Sequence, residues 1–413
     1  MAQLFYNQGS YDSPPLVHIP FEEFTAPEAP TGNFVDAPMT EIHRGTMLID
    51  ATHRNRFNPQ ELSVLTSRVA NRGYQVAFLG DFSSTDESER LNLLKDQLRQ
   101  ADSLVVALPQ ESYSPKEIAQ VEQFVEKGGK LLLIADPTRR HDISSLAKNF
   151  GINFQADYLY NLVDNDLNYQ EVFLREFQPD ELTRGLQEIA VYSAGSVKSS
   201  GVGLAFSGTN TRSTFAQKDT RFYPFARGED RNVVALYDLT FMVPPHNTIL
   251  DNDRLVSNIA DYLTTSQRDF ELTDFPRFFN GEVDLLLSES TSFEQGTEFK
   301  KLLAKWEIGS EFKEIEDRSQ DTVFLGTYED SSQVSQYLDS LGVHVDGELQ
   351  TPFTPTVASA GTGTILLHQS LDRDVLVVLG DSSKGLTTLI SRIRSGTFRD
   401  GLVDDFVGVY KTE

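Results

Sequence analysis

Four short apolar runs, 46–49, 75–79, 103–108 and 130–135, recur along one stretch of the chain. None alternates apolar with polar residues as a half-exposed strand does. Each is nearly continuous, the pattern of a strand covered on both faces. Helical patterns with readable ends separate them. Asn58-Pro59 offers a capping side chain and a first-turn proline ahead of Leu62, Leu65 and Val69, and Gly73 closes that segment. Ser114-Pro115 repeats the device before Ile118, Val121, Phe124 and Val125, and Gly128-Gly129 stops it. Strand, helix, strand at this spacing predicts a parallel sheet with right-handed crossovers.

In such a sheet the ligand edge lies where the strands point their carboxyl ends. That edge is expected to carry Asp50, His53 and Asn55 after the first strand, Asp81 after the second, and Asp136, Arg139 and Arg140 after the fourth. A helix over 142–150 and strands at 189–193 and 202–206 follow. The buried run 232–237 again ends in an acid, Asp238. A loop over 241–253 holds two adjacent prolines together with Asn247, Asp251 and Asn252, and the helix carrying Leu255, Ile259 and Leu263 closes the domain near Ser266.

The chain has 413 residues, enough for two or three domains with a proper core. Before the sheet domain, residues 1–44 are rich in proline and aromatics and read as an extended arm. Residues 267–413 read as a smaller α/β domain with a mixed sheet: strands at 283–287 and 322–325, helices at 293–306 and 331–341, an alternating strand at 343–345, a hairpin of 364–368 with 374–379, and a helix at 386–393. With 61 acidic against 36 basic residues the net charge is −25, which argues against binding nucleic acid or an anionic membrane. The absence of cysteine excludes disulfides, thiolate metal sites and a cysteine nucleophile, and it fits an extracytoplasmic protein, with the cytoplasm as the alternative. No apolar run approaches the roughly 18 residues of a spanning helix, and the opening does not read as a signal peptide. Any membrane anchor is expected outside these residues.

Several of these blocks together resemble a known family. The segment 46–52 with His53 and Asn55, then 73–76, 101–106 and 128–137, look like the domain of unknown function that has a class I glutamine amidotransferase-like fold, whose members include relatives of gliding-motility ABC-transporter auxiliary proteins. The block 233–238, Asn247 and 251–258 resemble that family's closing strand, asparagine-bearing loop and final helix. The likeness covers about residues 45–266. It implies an α/β fold with a flavodoxin- or amidotransferase-like parallel sheet flanked by helices, followed here by the second, smaller α/β domain. It also implies an extracytoplasmic, membrane-associated setting and a protein partner in a membrane or envelope assembly.

In true amidotransferases a cysteine sits on the turn after a central strand. The equivalent turn here reads Ile134-Ala135-Asp136-Pro137, and neither Ala135 nor Asp136 is a nucleophile. Glutaminase chemistry is excluded, and no catalytic residue, metal or cofactor is expected. Asp50, Asp136 and Asp238 each close a strand, so they are expected either to cap loops and helices or to converge with His53 on a ligand. Arg139 is a candidate for anion binding, while Asn247, Asp251 and Asn252 are expected to fix their loop or contact a ligand. Glycine-rich stretches at 201–203, 361–363 and 380–385 lack the order of nucleotide loops and read as turns. Three functions follow as expectations. The first is a non-catalytic binding or scaffolding module of a membrane-anchored, transporter-linked assembly. The others are a hydrolase or carbohydrate-active enzyme using Asp50, His53, Asp136 and Asp238, and a self-assembling surface-layer component, since an oligomer is open.

Overall fold

The computed structural model describes residues 34–36, 45–82, 86–166, 168–215, 221–266, 268, 272, 279, 282–370, 373–403 and 406–412. The expected arm over 1–44 lies outside the described residues except for 34–36. There Asp36 accepts hydrogen bonds from Arg72 and Ser257.

Nine strands form the first sheet: β1 (Gly45–Asp50), β2 (Tyr74–Leu79), β3 (Ser103–Ala107), β4 (Lys130–Ile134), β5 (Glu171–Phe177), β6 (Ile189–Tyr192), β7 (Gly203–Ser207), β8 (Phe225–Arg227) and β9 (Val233–Leu236). Their order across the sheet is β2-β1-β3-β4-β9-β8-β7-β5-β6. The first five in that order are parallel, with Ile49 beside Phe78 on one side and Val105 on the other. The expected all-parallel sheet is therefore corrected over its other half, where β8, β7, β5 and β6 pair antiparallel. Parallel neighbours need a long crossover, usually a helix, and among the described residues the links between these strands contain none. Chain neighbours there fold back on each other instead, as β5 does with β6 and β8 with β9.

Helices α1 (Ser63–Asn71), α2 (Glu87–Leu98), α3 (Pro115–Glu126) and α4 (Asn252–Leu263) cover the parallel half on both faces. Strand alternation sorts the side chains: Met47 and Ile49 of β1 pack with Leu65 and Val69 of α1 and Ile259 of α4. Leu48 faces the other way, with Leu94 of α2 and Phe124 of α3. Helix starts follow their capping residues. Asn58 accepts from the Gln60 amide ahead of α1, and Ser114 and Glu117 form a reciprocal capping box at α3. Each such cap contributes about 1 kcal/mol. Helix α2 escaped the sequence pattern because its apolar stripe is narrow, with only Arg90, Leu94 and Leu98 buried. The expected helix at 142–150 is a short α-turn, Ser144–Ala147, continued by a 3₁₀ turn that Gly151 ends with positive φ.

The second sheet has seven strands: β10 (Val283–Leu287), β11 (Ser310–Lys313), β12 (Asp321–Thr327), β13 (Thr362–Gln369), β14 (Asp374–Gly380), β15 (Leu402–Val403) and β16 (Val407–Lys411). Their order is β11-β10-β12-β14-β13-β16-β15, again parallel at one end and antiparallel at the other. Helices α5 (Phe293–Lys305) and α6 (Ser383–Ser395) bury Phe299, Leu303, Leu389 and Ile393 against one face. The expected helix at 331–341 divides into a 3₁₀ segment, Tyr328–Val334, and a short α-helix, Ser335–Ser340, which cover the other face. The fold is mixed α/β throughout the described residues. Among them no helix is long and apolar enough to cross a membrane.

Candidate functional site

Three of the nine candidate residues meet at the end of β1. The Asp50 carboxylate is fully buried. It accepts from the Thr52 amide at 3.0 Å and the Thr52 hydroxyl at 2.8 Å, and from the Asn55 amide group at 3.0 Å. The His53 ring lies against it, with Nδ1 3.1 Å from Oδ2. Asn55 also donates to the Ala107 carbonyl at 2.8 Å, which pins the β1 loop to the end of β3.

Tyr113 comes from the β3–α3 connection and Glu117 from the first turn of α3, because β3 is the neighbour of β1 in the sheet. Tyr113 donates its hydroxyl to Asp50 at 2.9 Å and stacks on the His53 ring, with centroids 3.8 Å apart. Glu117 is fully buried, its Oε1 3.4 Å from His53 Nε2, an ion-pair contact without hydrogen-bond alignment. Arg90 of α2 reaches the same oxygen at 3.3 Å and Glu111 at 2.9 Å. None of Arg90, Tyr113 and Glu117 was expected from the sequence. Only Glu117 left a trace, as the capping-box residue three places after Ser114.

Opposed effects set the charges. Burial pushes the Asp50 carboxyl up, but the His53 hydrogen bond and charge, with Thr52 and Asn55, hold it below the ordinary carboxylate range. Burial disfavours the His53 cation, yet Asp50 and Glu117 together raise its pKa to about 9. Burial likewise pushes Glu117 up, and His53 with the Ser114 cap overcomes it and brings the carboxyl down to about 2. Burial and Asp50 raise the Tyr113 phenol well above its usual value, so it stays a donor. At neutral pH the centre is an imidazolium held between two carboxylates.

A second group forms where β4 and β9 end side by side. Asp136 accepts from the Thr138 amide at 2.8 Å and the Leu239 amide at 3.4 Å. Asp238, also fully buried, accepts from the Tyr192 and Thr240 amides, both at 2.7 Å. Burial and the charge of Asp136 push Asp238 up to about 8, against the pull of its backbone donors. Of the two expectations for these acids, ordering of loops or convergence with His53 on a ligand, Asp136 and Asp238 show the hydrogen bonds to backbone of the first, and β3 stands between β1 and β4, so the three acids divide into two groups. Among the described residues no cluster of three or more His, Asp or Glu is arranged to hold a metal ion.

The remaining candidates are spent on the scaffold. Arg139 donates to Glu61 at 2.9 Å and to the Arg56 carbonyl at 3.3 Å. Asn247 donates to Asp253 at 2.8 Å. Asp251 accepts from the Gln187 and Glu188 amides, and Asn252 both donates to and accepts from the backbone of Ala190 in β6. None of these side chains bonds to Asp50, His53 or Asn55.

No family model matches the chain, and no curated protein matches it. Solved structures share parts of its outline. The mmIFT52 N-terminal domain is 12% identical, with a TM-score of 0.41 over 54% of this chain and 100% of that one. The structure of CpGH84D is 10% identical, with a TM-score of 0.23 over 32% of this chain and 20% of that one. At these scores neither likeness bears on what the chain does.

Proposed function

We propose that the chain is a non-catalytic binding or scaffolding module, built on an amidotransferase-like half-sheet and working in a membrane-anchored, transporter-linked assembly outside the cytoplasm. One observation carries the reading. At the edge where open α/β sheets take their ligands, Asp50, His53 and Glu117 are buried and engaged with one another, so their charges are spent inside the fold. The turn after β4 offers buried Ala135 where a nucleophile would stand, and Asp136 beside it is bonded to backbone amides. The membrane-associated setting rests on the family resemblance of residues 45–266.

The test has two arms. The purified chain should show no turnover of glutamine, p-nitrophenyl esters or p-nitrophenyl glycosides. Turnover abolished by Asp50→Asn or Asp136→Ala in a folded protein would overturn the non-catalytic reading. Affinity capture from host membranes, followed by mixing with the purified captured protein, should give a stoichiometric complex; failure of every captured membrane protein to bind in the purified mixture would overturn the scaffold role.

A further inference from the structure

The two large sheets have four ends, and three of them are closed. Strand β6 is buried along its whole length, and the Asn252 carboxamide takes the place of a next strand, donating to the Ala190 carbonyl at 2.9 Å and accepting from its amide at 3.1 Å. Strand β11 exposes Glu311 and Lys313, charges that discourage a further strand. Strand β15 is only two residues long.

Strand β2 has none of these devices. Its six residues, Tyr-Gln-Val-Ala-Phe-Leu, include no charge and no proline, and among the described residues no strand pairs with its outer side. The Leu79 carbonyl accepts from the Ala51 amide, so Leu79 faces β1. By the alternation of a parallel ladder Gln75 and Ala77 face β1 too, and Tyr74, Val76 and Phe78 turn their amides and carbonyls outward. Beside this edge runs a groove of about 390 Å³, lined by Ser63, Thr66, Ser67 and Ala70 of α1 and by Val76 and Phe78 of β2. None of these groove residues carries a charge.

We propose that β2 pairs antiparallel with β2 of a second copy of this chain, about a twofold axis perpendicular to the sheet and midway between the two Val76 residues. The occupant follows from charge and register. A chain of net charge −25 repels its own copy over most of its surface, and this neutral face lets two copies approach. Only residues with outward groups can form the close hydrogen-bonded pairs of an antiparallel ladder. A twofold between the two Val76 residues sets Val76 opposite Val76 and Tyr74 opposite Phe78; the Tyr74 ring is buried over Gly45 of β1, so Val76 and Phe78 supply the side chains at the seam. An axis perpendicular to the sheet keeps both copies' α1 faces on the same side, so Val76 and Phe78 of one copy enter the groove of the other. The pairing is independent of what the module binds.

Sedimentation equilibrium or light scattering on the full chain tests this. The unaltered protein should have the mass of two chains. Ser67→Glu with Ala70→Glu places acids at two exposed α1 positions, where they do not disturb the core, and should weaken self-association about tenfold or more. Val76→Pro removes one outward amide while sparing the bonds to β1, and should leave a folded single chain. A wild-type chain that stays monomeric up to its solubility limit overturns the proposal. So does a dimer that survives the double variant unchanged.

Discussion

Asp50 and Asp238 occupy equivalent places, each closing a buried parallel strand, and each is fully buried, yet the fold gives them opposite charge states. Asp50 meets a cation, His53, and donors from three side chains, and it stays ionised against the cost of burial. Asp238 meets another carboxylate, Asp136, and backbone amides, and it keeps its proton into the alkaline range. Backbone donors alone do not offset burial next to a like charge, whereas an imidazolium does. The first region is an ion-pair lock between the ends of β1 and β3. The second is a hydrogen-bonded clasp between the ends of β4 and β9.

The largest effect expected from this contrast is Asp50→Ala. It leaves the His53 cation in the interior with only Glu117 and deprives Tyr113 and Asn55 of an acceptor. Breaking a buried pair from one side costs about 3–5 kcal/mol, to be read from denaturant unfolding at neutral pH. A loss under about 1 kcal/mol would mean that Asp50 is no better engaged than an exposed pair, and the contrast would fail. Tyr113→Phe should come next, at about 1.5–3 kcal/mol, because the phenol bonds to a charged acceptor.

The lock should also show itself in pH. His53 holds its proton to about pH 9 when folded, against 6.5 as an ordinary side chain. Its contribution is therefore complete below pH 6.5 and is lost as the pH rises through 9. Glu117 is shifted from 4.5 to about 2, so its contribution is complete above pH 4.5 and is lost as the pH falls through 2. Stability measured across pH should fall on both flanks, and His53→Gln should flatten the alkaline one. An unchanged alkaline slope in that variant would remove the imidazolium from the account.

Much of the first region was legible in the chain. Continuous apolar runs announced β1 to β4, and the acids and His53 at their ends followed from strand direction. What was not legible depends on sheet order. Tyr113 reaches Asp50 and Glu117 reaches His53 only because β3 lies beside β1, and no local pattern states that adjacency. In the antiparallel half β6 and β7 were expected as strands but their direction was not, and β8, Phe225–Arg227, is too short to carry a period. Asn252 was visible as a residue of the loop before the last helix, expected to fix that loop or contact a ligand, but its service as a substitute strand for β6 required knowing where β6 ends the sheet.

At mildly acid pH Asp238→Asn should have the smallest effect, and its pH dependence sharpens the contrast most. At mildly acid pH the wild-type carboxyl is protonated when folded, and the amide replaces one acceptor with a donor facing a backbone amide, a cost of about 1 kcal/mol. Above the ordinary carboxyl pKa of 3.8 the unfolded chain releases this proton while the folded chain keeps it up to about 8. Wild-type stability therefore declines across that interval on account of Asp238, and the asparagine variant lacks the decline. The wild-type advantage should vanish soon after the pH rises above 4 and then reverse, the asparagine variant becoming the more stable protein well before pH 8. His53 titrates in both and cancels from the difference. A gap that stays constant with pH would mean that Asp238 is ionised in the folded state like Asp50, and the two strand ends would then be electrostatically alike.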